Sequence, residues 1–160
     1  MIVLILVMFL PVMAVAQGTV EFYSARIQAN GTIILSIYWT ADGSGDVTAN
    51  FSEEPGLVKW DTGLLIGHSC YYVTTKPGSA LDDPPRTAPD ADYDVLIADG
   101  NGLDIFGGQL IDRSATVAEN AAPLIGIVPL YGPITCVGDW SVVIAGAGAG
   151  GQGKITVLFR

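Results

Sequence analysis

Apolar and polar residues alternate with a period of two along most of the chain. Ile33, Leu35, Ile37 and Trp39 interleave with Thr32, Ile34, Ser36 and Tyr38, the pattern of a β-branched and aromatic strand with one face in a core. Residues 19–28 (TVEFYSARIQ) come before it, and Asn30-Gly31 between the two is a tight-turn signal, so the first two strands are expected to form a hairpin. Val47, Ala49 and Phe51 alternate with Thr48, Asn50 and Ser52, and residues 64–66 and 70–75 read as further strands. Tyr93, Val95 and Ile97 resume the alternation up to the turn Asp99-Gly100-Asn101-Gly102, with 103–106 as the returning strand. Trp140, Val142 and Ile144, then Ile155, Val157 and Phe159, flank the glycine-rich stretch 145–153 and predict a closing hairpin with a flexible tip.

Two segments break the pattern. Residues 77–89 hold four prolines, which excludes a helix or a strand interior and predicts an exposed loop. Thr116-Val117-Ala118-Glu119 has capping-box spacing, but Pro123 follows closely, leaving room for about one helical turn. Seven to nine short strands with turn signals between them imply an all-β single domain. A β-sandwich is expected, immunoglobulin-like or jelly-roll.

The N-terminus alters how the composition reads. Residues 1–16 (MIVLILVMFLPVMAVA) carry no charged side chain and end in the small-x-small site Ala14-Val15-Ala16, the form of an export signal cleaved before Gln17. An uncleaved anchor competes with this, but a span needs roughly 20 apolar residues, and this run contains Pro11 and stops at Gln17. The expected organisation is a signal over 1–16 and a β-sandwich domain over 17–160. Without the signal the apolar share falls from 50 % of the chain to about 45 %, 65 of 144 residues, the level of an ordinary globular domain.

Charge narrows the function classes. The net charge is −9, and the seven Lys and Arg are scattered singly along the sequence with no basic stripe, which argues against a nucleic-acid partner. Gly67-His68-Ser69-Cys70-Tyr71 begins like a nucleophile elbow, but Tyr71 stands where the closing glycine belongs. His68 is the sole histidine and, next to Ser69 on an extended segment, would point to the opposite face. No catalytic residue and no cofactor is assigned, and the chain reads as a non-enzyme.

Asp90, Asp92 and Asp94, and then Asp99, Asn101 and Asp104, are oxygen-rich in the manner of calcium loops. Val95 and Asn101 occupy the positions where the EF-hand pattern needs glycine and a bidentate acid. Asp99, Asn101 and Asp104 are therefore weak calcium candidates beside the plainer reading of a solvated face and a turn. Cys70 and Cys136 are the only cysteines; in an oxidising compartment they are expected to pair, closing a loop worth about 4 kcal/mol in the chain-entropy model. Two buried thiols are the alternative.

The run DYDVLIADGNGLDIFGG from Asp92, followed by DRSATVAE at Asp112 to Glu119, resembles a family of small uncharacterised proteins of tailed bacteriophages and prophages. Family members carry such a hairpin, then an R…E segment and a closing strand near the C-terminus. The resemblance covers about residues 77–160 and implies a virion structural or accessory β-domain acting by self-assembly or by attachment to a larger particle, with no established activity. The other class is a secreted or cell-surface binding module, with carbohydrate as the ligand and aromatics such as Tyr38, Trp60 or Tyr72 as the platform. Residues 1–16 predict that the exported protein begins at Gln17; its intact mass reads this directly, and a membrane-bound species retaining Met1 would refute it.

Overall fold

A computed structural model describes residues 18–50, 69–81, 86–125, 130–135 and 140–160. The alternation at 33–40 becomes β2 (Ile33–Thr40), which pairs antiparallel with β1 (Thr19–Ile27) as a hairpin. At its tip Gly31 takes φ +82°, a left-handed conformation that glycine adopts without steric cost, and the Asn30 side chain accepts the Thr32 N–H at 3.0 Å.

Nine further strands follow among the described residues: β3 (Val47–Asn50), β4 (Ser69–Pro77), β5 (Asp94–Ala98), β6 (Glu119–Ala121), β7 (Leu124–Ile125), β8 (Leu130–Tyr131), β9 (Ile134–Thr135), β10 (Ser141–Ala145) and β11 (Gln152–Phe159). The larger sheet runs β1-β2-β11-β4-β6, with β9 also on β4. The smaller runs β3-β10-β5, and β7 and β8 form a separate pair. Every pairing is antiparallel.

The two sheets close on each other because each buries one alternating face. Ile33, Leu35, Ile37 and Trp39 of β2, Ile155, Val157 and Phe159 of β11, and Val73 of β4 share one core with Val47, Val95, Ile97, Val142 and Ile144 of the smaller sheet. Each fully buried side chain of this size contributes about 1.5–3 kcal/mol of transfer free energy. Aromatic contacts join the parts: Trp39 lies 5.6 Å from Tyr93 and Trp140 lies 5.3 Å from Phe159, centroid to centroid. The fold is all-β, a β-sandwich.

Several expected connections take another form. Strands β10 and β11 are not a hairpin: β10 lies between β3 and β5 in one sheet and β11 between β2 and β4 in the other. The glycine-rich stretch is the crossover. It is packed rather than free, with Ala147 fully buried, the Ala147 N–H on the Gly45 carbonyl, the Asp90 N–H on the Ala147 carbonyl and the Ala41 N–H on the Gly151 carbonyl. Residues 103–106 return along β5 as an isolated bridge, Ala98 to Asp104, rather than a strand. No helical turn forms at 116–119; Ser114 instead takes the Thr116 and Val117 N–H groups on its hydroxyl while Glu119 takes the Ser114 N–H. The proline-rich segment opens with a short 3-10 turn, Gly78–Ala80, and Pro89 is buried. Residues 64–66 and Phe51 lie outside the described residues. Among the described residues no helix is long and apolar enough to cross a membrane.

Tyr93 lies just before β5, bridged to Arg113 and buried against Trp39. Burial, assisted by the Glu119 charge, pushes its phenol from 10 up to about 12. The unfolded chain releases this proton near its ordinary value and the folded chain holds it longer. The contribution is therefore complete below about pH 10 and is lost as the pH climbs toward about 12. Urea unfolding at about pH 8 and about pH 11 is expected to show Tyr93→Phe losing less stability over that interval than wild type; equal losses would contradict this.

Candidate functional site

The carboxylates that the sequence offers as weak calcium candidates are engaged in turns. Asp99 Oδ1 accepts the backbone N–H groups of Asn101 at 2.9 Å and Leu103 at 3.0 Å, and Asp99 Oδ2 the Asn101 carboxamide at 3.5 Å. Asp104 accepts the Phe106 N–H at 3.0 Å and the Gly108 N–H at 2.7 Å. Together these Asx-type turns fold the chain back along the outer edge of β5, where the Ile105 N–H reaches the Ile97 carbonyl and the Val95 N–H the Leu110 carbonyl. Asp94 accepts the Asp112 N–H at 2.9 Å. Asp42 repeats the device, bonding the N–H groups of Ser44 and Asp46 and the Ser44 hydroxyl. The Asp46 N–H first, and the Ser44 hydroxyl after it, hold this exposed carboxyl below its ordinary range. Among the described residues no three His, Cys, Asp or Glu side chains come together as a metal site.

Cys70 is fully buried on β4, in register with Ile134 of β9. Cys136, His68 and Trp60 lie outside the described residues. Ser69 exchanges both backbone bonds with Arg160, which holds the end of β4 against the chain terminus.

The outward face of the larger sheet gathers the side chains most suited to a ligand. Its inward residues being 33, 35, 37 and 39 on β2, the outward set is Ile34, Ser36, Tyr38 and Thr40, with Gln152, Lys154, Thr156 and Leu158 on β11 and Thr74 and Lys76 on β4. Register sorts these into rows across the strands. Ile34, Leu158 and Tyr72 are neighbours; so are Ser36, Thr156, Thr74 and Asn120; so are Tyr38, Lys154 and Lys76. Short hydroxyl and amide side chains thus lie between two rows of long ones, forming a shallow trough perpendicular to the strands. Its floor crosses four strands, about 14 Å, and its walls stand about 13 Å apart at the backbone. Ser36 lies in the outward set yet is 6 % exposed, so neighbouring side chains cover it.

The floor is polar and retains bonding capacity. Ser36 and Thr156 share a bond at 3.3 Å, and the Thr74 hydroxyl donates to Asn120 Oδ1 at 2.6 Å. A hydroxyl offers one donor and two acceptor positions, so the exposed Thr74–Asn120 pair keeps bonding positions at the surface.

One wall ends in two consecutive exposed tyrosines. The β4–β11 register shifts between Leu158 and Phe159, and this bulge puts Tyr71 and Tyr72 outward together, 40 % and 43 % exposed, where strict alternation would bury one of them. The exposure of Tyr72 was legible in the sequence; that of Tyr71 was not, because only the bulge exposes it. Tyr38 plays a different part. Arg86 lies 4.9 Å and Lys154 5.1 Å from its ring centroid, so cation–π contacts engage that ring. Basic residues scattered in sequence therefore converge: Lys76, Lys154 and Arg86 meet at one wall.

No protein-family profile matches the chain, and no curated protein matches it. Among solved structures, a low-affinity xylan-binding module, CBM86, from the xylanolytic gut symbiont Roseburia intestinalis aligns over 91 % of this chain and 90 % of its own length, at 13 % identity and a TM-score of 0.33.

Asp104 organises two backbone N–H groups beside the buried Ile105 and Phe106. Asp104→Ala is expected to cost about 1–3 kcal/mol in chemical unfolding, with the wild-type midpoint unchanged by added calcium or EDTA. A midpoint that rises with calcium would make these carboxylates ligands rather than turn formers.

Proposed function

We propose that the chain is a non-catalytic binding module that takes carbohydrate on the outer face of its larger sheet. The observation carrying this reading is the bulge-exposed pair Tyr71 and Tyr72 at the border of a row of hydroxyl and amide groups. A sugar ring presents an apolar C–H face and a hydroxylated edge. Exposed aromatic rings complement the first, and groups that both donate and accept complement the second. Two tyrosines held in water at a sheet surface gain apolar contact when such a ring covers them. Export, expected from residues 1–16, supports the reading, since it would bring the domain to extracellular glycans.

Ile34 and Leu158 favour a second reading, assembly with further copies or with a virion. They are register partners on the same face, so a protein partner would cover the first wall of the trough. The two readings separate by experiment. Tyr71→Ala and Tyr72→Ala should each weaken retention in affinity gels containing soluble polysaccharide by about tenfold, which is about 1.4 kcal/mol, with thermal unfolding changed little, as for surface positions. Unaltered retention in both variants would remove the carbohydrate reading. A mass that grows with concentration in light scattering, and reverts to monomer in Leu158→Lys, would favour assembly.

A further inference from the structure

We infer that the ligand is an acidic glycan lying along β4, with sugar rings on Tyr71 and Tyr72 and a carboxylate at Lys154 and Lys76. This rests on the carbohydrate reading above and specifies the ligand's chemical class and pose. The charge of the face carries the argument. The chain holds 16 Asp and Glu against seven Lys and Arg, so its surface is negative on average. The larger sheet reverses that sign: among the described residues, the outward positions of β2, β11, β4 and β6 include Lys76 and Lys154 and no carboxylate. Glu119 of β6 pairs with the inward Thr75 and is committed to Arg113 and the Ser114 N–H. The Asp42 turn begins four residues beyond Tyr38, about 13 Å along a strand. That exceeds the Debye length of roughly 8 Å at physiological salt, so its charge is largely screened from the lysines.

Lys154 and Lys76 are direct register partners on β11 and β4. Like charges opposite each other on paired strands repel, and an anion held between them removes that repulsion. Lys154 stands over the Tyr38 ring, which lends a quadrupole and no charge, so its ammonium stays positive there. Lys76 and Arg86 have further partners of their own, which makes Lys154 the principal contact for an acidic group. Along β4 the outward residues run Tyr72, Thr74, Lys76, placing the exposed ring about 13 Å from the ammonium row at the backbone, the span of a few sugar rings. Between them the exposed Thr74–Asn120 pair meets sugar hydroxyls. This pose follows the exposed margin of the sheet and uses neither the covered Ser36 nor the face of Tyr38. Exposed tyrosines beside cations also suit the stacked bases of a single-stranded nucleic acid. Such a strand is charged at every unit, whereas cations stand at only one end of this track, as fits a glycan whose acidic groups are separated by neutral sugars.

Isothermal titration of the full chain with hyaluronan and with glucuronoxylan, each beside its carboxyl-reduced form, tests this. At least one acidic polymer should bind about tenfold or more tightly than its reduced form, the scale of one hydrogen bond to a charged group. That gap should narrow as sodium chloride is raised. Lys154→Gln should close most of the gap without weakening the reduced form, and Lys76→Gln gives the same reading should the first variant unfold. Tyr72→Ala should weaken both forms alike. Equal binding of acidic and reduced polymers, or an undiminished gap in both lysine variants, overturns the acidic class and leaves the carbohydrate reading standing. Oligodeoxythymidylate binding as tightly as the acidic polymer overturns it in favour of a nucleic acid. A wild-type chain that binds none of these polymers removes both the inference and the carbohydrate reading.

Discussion

Strand β11 is bonded along both edges, to β2 through residues 152–159 and to β4 over nearly the same span, and the sandwich depends on that double pairing. It carries Ile155, Val157 and Phe159 into the core between the inward faces of its neighbours. It also brings Gly153 so close to Trp39 that an added Cβ would lie 2.5 Å from the ring. A side chain there would have to displace an indole that is fully buried and packed on Tyr93, so the contact of backbone with ring fixes how the C-terminal strand seats against the N-terminal hairpin. Residues about 120 positions apart in sequence are thereby joined at the centre of one sheet, a non-local topology of the kind that folds slowly.

The chain turns in two distinct ways around this core. Aspartates close the tight turns by accepting two or more backbone N–H groups each, as Asp42, Asp99 and Asp104 do. Glycines make the passage between sheets, with φ near +70° at Gly146, Gly148 and Gly150 and with Ala147 as a buried plug. The acidic composition is thus in part structural: carboxylates that look like ligands in sequence satisfy backbone donors that would otherwise depend on solvent.

Which face of each strand enters the core was legible from alternation alone, because Ile33 to Trp39 and Ile155 to Phe159 repeat with a period of two and side chains in a strand alternate sides. Partner choice was not legible. The segments 140–144 and 155–159 have the same apolar rhythm and a short glycine-rich link, yet the link changes sheets, since a pattern of faces says nothing about which edge a strand will join. The returning strand after Asp99 failed for a related reason: successive aspartate turns keep the chain curling along the edge of β5, leaving one bridge at Asp104.

The candidate site was legible to the same degree. Tyr72 and the outward residues Ile34 and Leu158 follow from alternation, but their adjacency, the hydroxyl row beside them and the convergence of Lys76, Lys154 and Arg86 follow only from register across strands distant in sequence. A one-residue slip of β11 would turn Thr156 and Lys154 inward and bring Ile155 and Val157 to the surface. The hydrophobic core therefore selects the same register that assembles the trough. Tyr71 shows the limit of that coupling. Its exposure comes from the bulge opposite Phe159, where the ladder departs from strict alternation beside a fully buried ring packed on Trp140. That one irregularity puts a second tyrosine beside Tyr72 on the outer face of the sheet.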